Sequence, residues 1–195
     1  GIGRINPDGS RGSCAACHQR HEFSMVQARR PEACGKCHLG PDHPQKEIYD
    51  ESKHGISFYA NVDRMNLSSA KWVVGEDYTV APTCATCHMS ATSEQPITHD
   101  VGDRISWTLR PPISEKVDAK AIKEGKQVKS WMERRKDMKN VCAACHGGNL
   151  VEAFYEQFDG LVNLYNNKFA IPGQKLMTLA LKEKLLTETP FDEKL

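Results

Sequence analysis

Cys14-Ala15-Ala16-Cys17-His18, Cys34-Gly35-Lys36-Cys37-His38, Cys84-Ala85-Thr86-Cys87-His88 and Cys142-Ala143-Ala144-Cys145-His146 decide how this chain is read. Together they use all eight of its cysteines. Two thiols three positions apart can each add to one vinyl group of a haem, and the His that follows is placed to take the iron from the proximal side. C-x-x-C-H is therefore the attachment signature of haem c. Zinc competes, because two C-x-x-C pairs make a Cys₄ site and four pairs make two. Zinc does not require a His after each second Cys, however. With eight His in 195 residues, four chance placements out of four have a probability on the order of a few in a million. A thioredoxin-like redox pair is usually single and sits in a βαβ context that is absent here. The expectation is four haems c, tethered by Cys14, Cys17, Cys34, Cys37, Cys84, Cys87, Cys142 and Cys145. His18, His38, His88 and His146 are then the proximal ligands.

Four histidines remain: His21, His43, His54 and His99. Beside four irons, spare histidines read as distal ligands, and His21, His54 and His99 are assigned that role. His21 follows His18 by three positions and cannot fold back onto the same iron, so it is expected to serve a neighbouring haem. His43 lies in Pro41-Asp42-His43-Pro44, where the two prolines limit φ and hold the acid and the imidazole in a stiff turn. An adjacent Asp–His pair suits proton transfer. A fourth distal ligand beside a turn residue is the other reading of the same residues.

The composition agrees with a cofactor-filled interior. Apolar residues make up 39% of 195, lean for a chain that must bury its own core. The formal charge of +1 removes any polycation argument for nucleic acid. Two propionates per haem would shift it to about −7 before the irons are counted. No apolar run reaches the length of a membrane span, and no leader pattern opens the chain.

The expected fold is mainly α with little β: a loop-rich, haem-packed region 1–110 with three motifs, then a helical region 111–195 with the fourth, as one continuous domain. Glu47 to His54 reads as a helical turn or two delivering His54, and Lys71 to Gly75 as a short strand. Asp118 to Asn140 reads as one charged helix with Ile122, Val128, Trp131 and Met132 as its apolar positions. Leu150, Phe154, Phe158, Leu161, Tyr165 and Phe169 step by three or four along an amphipathic helix that Pro172-Gly173 should break. Leu176, Leu179, Leu181, Leu185 and Leu186 mark another, which Pro190 stops. These stripes read as core, covering haem edges or a partner subunit. Gly9 to Ser13 and Gly40 to Pro44 read as turns, and Pro111-Pro112 as a break. The motifs recur at intervals of 20, 50 and 58 residues, so there is no fixed repeat.

Several longer stretches carry a resemblance: residues 1–10 with Cys14 to Ser24, Cys37 to Pro44, Glu51-Ser52-Lys53-His54-Gly55, Trp72 to Tyr78, and Thr98-His99-Asp100 followed by Arg104-Ile105-Ser106-Trp107. Over essentially its whole length the chain resembles the octahaem hydroxylamine oxidoreductase family, including the hydroxylamine- and hydrazine-oxidising enzymes of anammox bacteria. The resemblance implies that these four motifs are the last four of eight, with the catalytic haem held upstream in another part or a partner half. It implies an Asp–His pair over that haem, which points to Asp42 and His43 as catalytic. It also implies a small nitrogenous substrate, a cytochrome c acceptor, a homotrimer, and a periplasmic or anammoxosomal location. In oxidising members a Tyr from a neighbouring subunit bonds to the catalytic porphyrin, and Tyr155 and Tyr165 are the candidates here. Without that bond the same fold is expected to reduce nitrite or hydroxylamine. A non-catalytic tetrahaem electron-transfer cytochrome is the remaining alternative.

Intact-mass spectrometry of the denatured, chelator-treated chain should show the polypeptide plus four haems. A mass equal to the bare polypeptide would rule the tethering out.

Overall fold

One helical turn carries each motif. The computed structural model describes residues 2–6, 8–106, 113–125 and 129–186. Helices α1 (Cys14–His18) and α6 (Cys84–His88) are the motifs themselves. α3 (Pro31–Gly35) and α8 (Trp131–Ala143) end inside the second and fourth motifs. Helical winding still persists there, because His38 N–H donates to Cys34 O at 3.0 Å and His146 N–H to Cys142 O at 2.9 Å. Positions i, i+3 and i+4 of a helix share one face, so both thiols and the imidazole are presented together.

Between these lie α2 (Met25–Arg29), α4 (Gln45–Glu51), α5 (Lys53–Ala60), a 3-10 turn (Val62–Met65) and α7 (Ile113–Lys123). α9 (Gly148–Tyr165), a π-helical segment (Asn166–Ala170) and α10 (Ile171–Lys182) complete the chain. Pairing of β type is confined to isolated bridges, Ile2 with Gly12, Ile5 with Arg11 and Val74 with Tyr78, among the described residues. The mainly helical, strand-poor architecture is as expected.

Phe58, Met65, Leu67, Trp72, Val74, Tyr78, Ala81, Ala85 and Val141 form the buried cluster. It sits between α5, the 72–81 loop, α6 and the end of α8, so the third motif is built into it. Thr83 and Thr86 cap α6 reciprocally, Thr83 N–H donating to Thr86 Oγ1 at 2.9 Å, and Tyr78 Oη lies 2.7 Å from the same Oγ1. Trp72 stacks on Tyr78 at 4.6 Å and donates its indole N–H to Met65 O at 2.9 Å. Arg29 covers the other face of that indole and donates to Ser69 O at 2.7 Å.

Four local expectations are corrected. Lys71 to Gly75 is a turn, not a strand: Trp72 has φ of 52°, and Val73 N–H is held by Asp77 at 2.6 Å. Glu47 to His54 is two helices, because Ser52 ends α4 and caps α5 through Gly55 N–H at 3.1 Å. The charged helix is also two. Gly125, with φ of 71°, follows α7, and Ser130 with Glu133 forms a capping box that opens α8. Pro172 does not break its helix. The π segment ahead of it, closed by Ile171 N–H on Asn166 O, widens the turn where the proline ring would meet the preceding carbonyls.

The apolar stripe on α9 and α10 is not covered by other described residues of this chain. Leu150, Phe154, Leu161, Tyr165, Phe169 and Leu176 are exposed, and only Val151 of α9 is buried. No helix among the described residues is long and apolar enough to cross a membrane. Val128, Trp107, Pro111-Pro112 and Pro190 lie outside the described residues.

Gly55 allows α5 to close on α4, since a Cβ there would stand 2.0 Å from Tyr49 O. Gly55→Ala should therefore destabilise the protein by about 1–3 kcal/mol, read as a lowered denaturant midpoint. An unchanged midpoint would show that the close approach is not needed.

Candidate functional site

None of the eight cysteines is paired in a disulfide. Among the described residues no three His, Cys, Asp or Glu side chains converge as they would around a metal ion. Burial alone pushes the Cys145 thiol up and is the largest cause for Cys142, and it carries the Cys87 thiol up to about 12.

The helices that bear the motifs touch in chain order: α1 packs on α3, α3 on α6, and α6 on α8. The thiols repeat the order. Cys17 lies within electrostatic reach of Cys37, Cys34 of Cys84, and Cys87 of Cys142 and Cys145. The four attachment points thus form a row running first, second, third, fourth.

The histidines fit haem ligation. His54 and His146 face each other with ring centroids 6.0 Å apart. Two imidazoles on opposite sides of one metal ion, with metal–N bonds of about 2.0–2.1 Å, have centroids about 6 Å apart. α5 delivers His54 from its first turn, so this pair joins α5 to the fourth motif. His88 points Nδ1 at Val101 O, 3.2 Å away, which fixes the ring and leaves Nε2 for a metal. His99 lies on the same loop as Val101 and within electrostatic reach of His18, beside the first motif. Loss of hydration is the main cause lowering the pKa of His54, His88 and His99, and this favours the neutral, ligating imidazole. Phe23, held at φ of 48°, stacks on His18 at 4.4 Å and 4°.

His21 is exposed in the turn after α1. Asp42 and His43 sit beside the second motif. Asp42 Oδ1 lies 2.7 Å from His43 Nδ1, Cys37 O lies 2.8 Å from Nε2, and the ring meets His38 edge-on at 6.1 Å. Each ring nitrogen of His43 thus stands beside an oxygen. Tyr155 is packed under Arg135 and Lys139, at 4.9 and 5.1 Å from its ring, whereas Tyr165 is exposed on α9.

Residues outside the motifs do as much positioning. Tyr78 and Thr86 anchor the third motif, and Arg104 fastens it to the 90–96 loop by donating to Cys87 O at 3.3 Å, Ser90 O at 2.8 Å and Pro96 O at 3.1 Å. Thr86 could have been noticed as a capping residue, since Thr83-x-x-Thr86 straddles the first cysteine. A buried arginine bonded to carbonyls leaves no trace in a sequence.

Row, tethers and facing imidazoles define a multihaem c-type cytochrome. The chain belongs to the family described as "Seven times multi-haem cytochrome CxxCH", whose profile covers residues 8–187. It is 30% identical over 180 residues to a protein of Kuenenia stuttgartiensis named "Probable nitrite reductase-hydroxylamine oxidoreductase fusion protein", covering 75% of this chain and 20% of that one. A solved "Hypothetical multiheme protein" superposes with a TM-score of 0.71 at 28% identity, over 97% of this chain and 48% of that chain. A reducing HAO-like protein complex of K. stuttgartiensis gives 0.64 at 30% identity, over 89% and 37%. The chain spans about half or less of each. It is a haem c protein related to HAO-like redox proteins.

His54→Ala should leave haem attachment intact and convert one haem in four from six-coordinate low-spin to a form that binds carbon monoxide, read from absorption spectra. Carbon monoxide binding equal to that of the unaltered protein would separate His54 from the iron.

Proposed function

We propose that this chain is the electron-relaying, four-haem part of an HAO-like oxidoreductase acting on a small nitrogen compound, with the catalytic haem carried by another part or a partner half. The observation that carries this reading is the succession of α1, α3, α6 and α8, which sets the four attachment sites side by side in one row. When bound, haem c supplies one-electron redox chemistry at each site. The chain's own residues hold the sites in register through the thiols and proximal histidines. His54 and His99 close two of them from the distal side, and the core residues exclude water from the third.

In this reading His21, exposed at the first motif, ligates a haem of the partner half. Asp42 and His43 are the proton-handling pair: the carboxylate fixes the ring at Nδ1, and the exposed turn lets a proton exchange with solvent or with a substrate brought by the partner half. Hydroxylamine to nitrite, or hydrazine to dinitrogen, releases four electrons, which suits a row that accepts them singly and passes them to a cytochrome c. Tyr165 is exposed on a face suited to a neighbouring subunit of a trimer, so it is the better placed of the two candidate porphyrin-bonding tyrosines. The need to attach haem c outside the cytoplasm supports a periplasmic or anammoxosomal location.

Reduction of nitrite or hydroxylamine is the second reading. It is favoured by the likeness to a complex called reducing and to a fusion named for a nitrite reductase.

The assembled native protein should oxidise hydroxylamine or hydrazine with a cytochrome c acceptor. His43→Ala should lower kcat by about 10²–10⁴-fold with haem content unchanged. Unaltered kcat would remove the pair from catalysis. Turnover of nitrite with a reduced donor, and none of hydroxylamine or hydrazine with an acceptor, would replace the first direction by the second.

A further inference from the structure

Arg104 is among the largest fully buried side chains, with 2% of its surface exposed. Its guanidinium meets three carbonyls: Ser90 O, Pro96 O and Cys87 O. Among the described residues no carboxylate stands within ion-pair distance of it. The acids that act on it from beyond contact, Asp103 and Asp137, are both bonded to Lys129 Nζ. Arg135, also buried, differs: Asp159 meets it with two oxygens, at 2.6 and 2.9 Å.

Carbonyl dipoles solvate a cation without cancelling its charge, so a positive charge persists in the interior beside the third motif. Cys87, whose carbonyl accepts from Arg104, is the second tether, and His88 is the next residue. A charge in a poorly hydrated interior acts more strongly than one at the surface. A haem's reduction adds one negative charge, and net charge and burial are among the levers that set its potential. Apart from Arg104, the cations acting on the motif residues lie at or near the surface: Lys36 by Cys17, Lys46 by Cys84 and Arg11 by His99.

We propose that Arg104 is a potential-setting residue: its unneutralised charge makes the haem held by Cys84, Cys87 and His88 the highest-potential member of the row. An electron entering from either end then comes to rest at the third site, inside the protein core, before it leaves. That resting role builds on the relay reading, whereas the potential itself depends only on haem attachment. An equilibrium measurement and a turnover measurement can therefore fail independently.

Spectroelectrochemical titration of the four-haem chain tests it. The component that reduces first should shift to lower potential in Arg104→Gln, by at least tenfold in its reduction equilibrium, about 59 mV for one electron. The other three should stay in place, and Arg104→Lys should retain most of the native value. No shift in Arg104→Gln, a shift in a different component, or an equal shift in Arg104→Lys would overturn the proposal. If Arg104→Gln matures with fewer than four haems, Asp137→Asn decides. Loss of that distant negative charge should raise the same component, and an unchanged or lowered value would overturn it.

Discussion

Everything in this molecule depends on one spacing: two thiols three residues apart on a helical turn, with an imidazole in the next position. That spacing ties a large apolar ring to a short piece of backbone by covalent bonds, so the backbone around it need not supply a full core of its own. The consequence is visible in the distribution of burial. A small cluster around Trp72, Tyr78 and Phe58 encloses the third motif, while the first motif sits in turns with its helix residues largely solvent-facing. A chain of 195 residues with 39% apolar composition is consistent with that division of labour.

The row of sites follows from the same constraint. Short helices that each carry a tether can pack end to side without long interfaces, and α1, α3, α6 and α8 do so in chain order. The intervening segments reach across to motifs distant in sequence. α5 brings His54 to the fourth motif, and one loop, 98–101, brings His99 towards the first and Val101 to the third.

Much of this was legible in the residues. The four pentapeptides announce tethers, proximal ligands and a helix-rich, strand-poor fold, because the chemistry admits little else. His54 and His99 could be picked out as candidates because spare histidines beside C-x-x-C-H motifs have few other uses, and the fold sets them beside His146 and His18. Less legible was anything set by long-range packing. Lys71 to Gly75 has the apolar look of a strand, but Trp72 turns its backbone to reach Met65 and Tyr78. Pro172 looks like a helix break, but a π turn absorbs it. The aromatic stripe on α9 looks like core because period alone cannot tell an inner face from one left exposed. Arg104 was invisible, because its meaning lies entirely in which carbonyls surround it.

A row of four haems in chain order, with the fourth held between His54 and His146, fixes where the irons must lie. A crystal structure of the haem-loaded chain, with iron located by its anomalous scattering, measures it directly. The account predicts four iron positions in succession beside His18, His38, His88 and His146, the last also bound by His54. Irons out of that order, or a fourth iron not bound by His54, would contradict it.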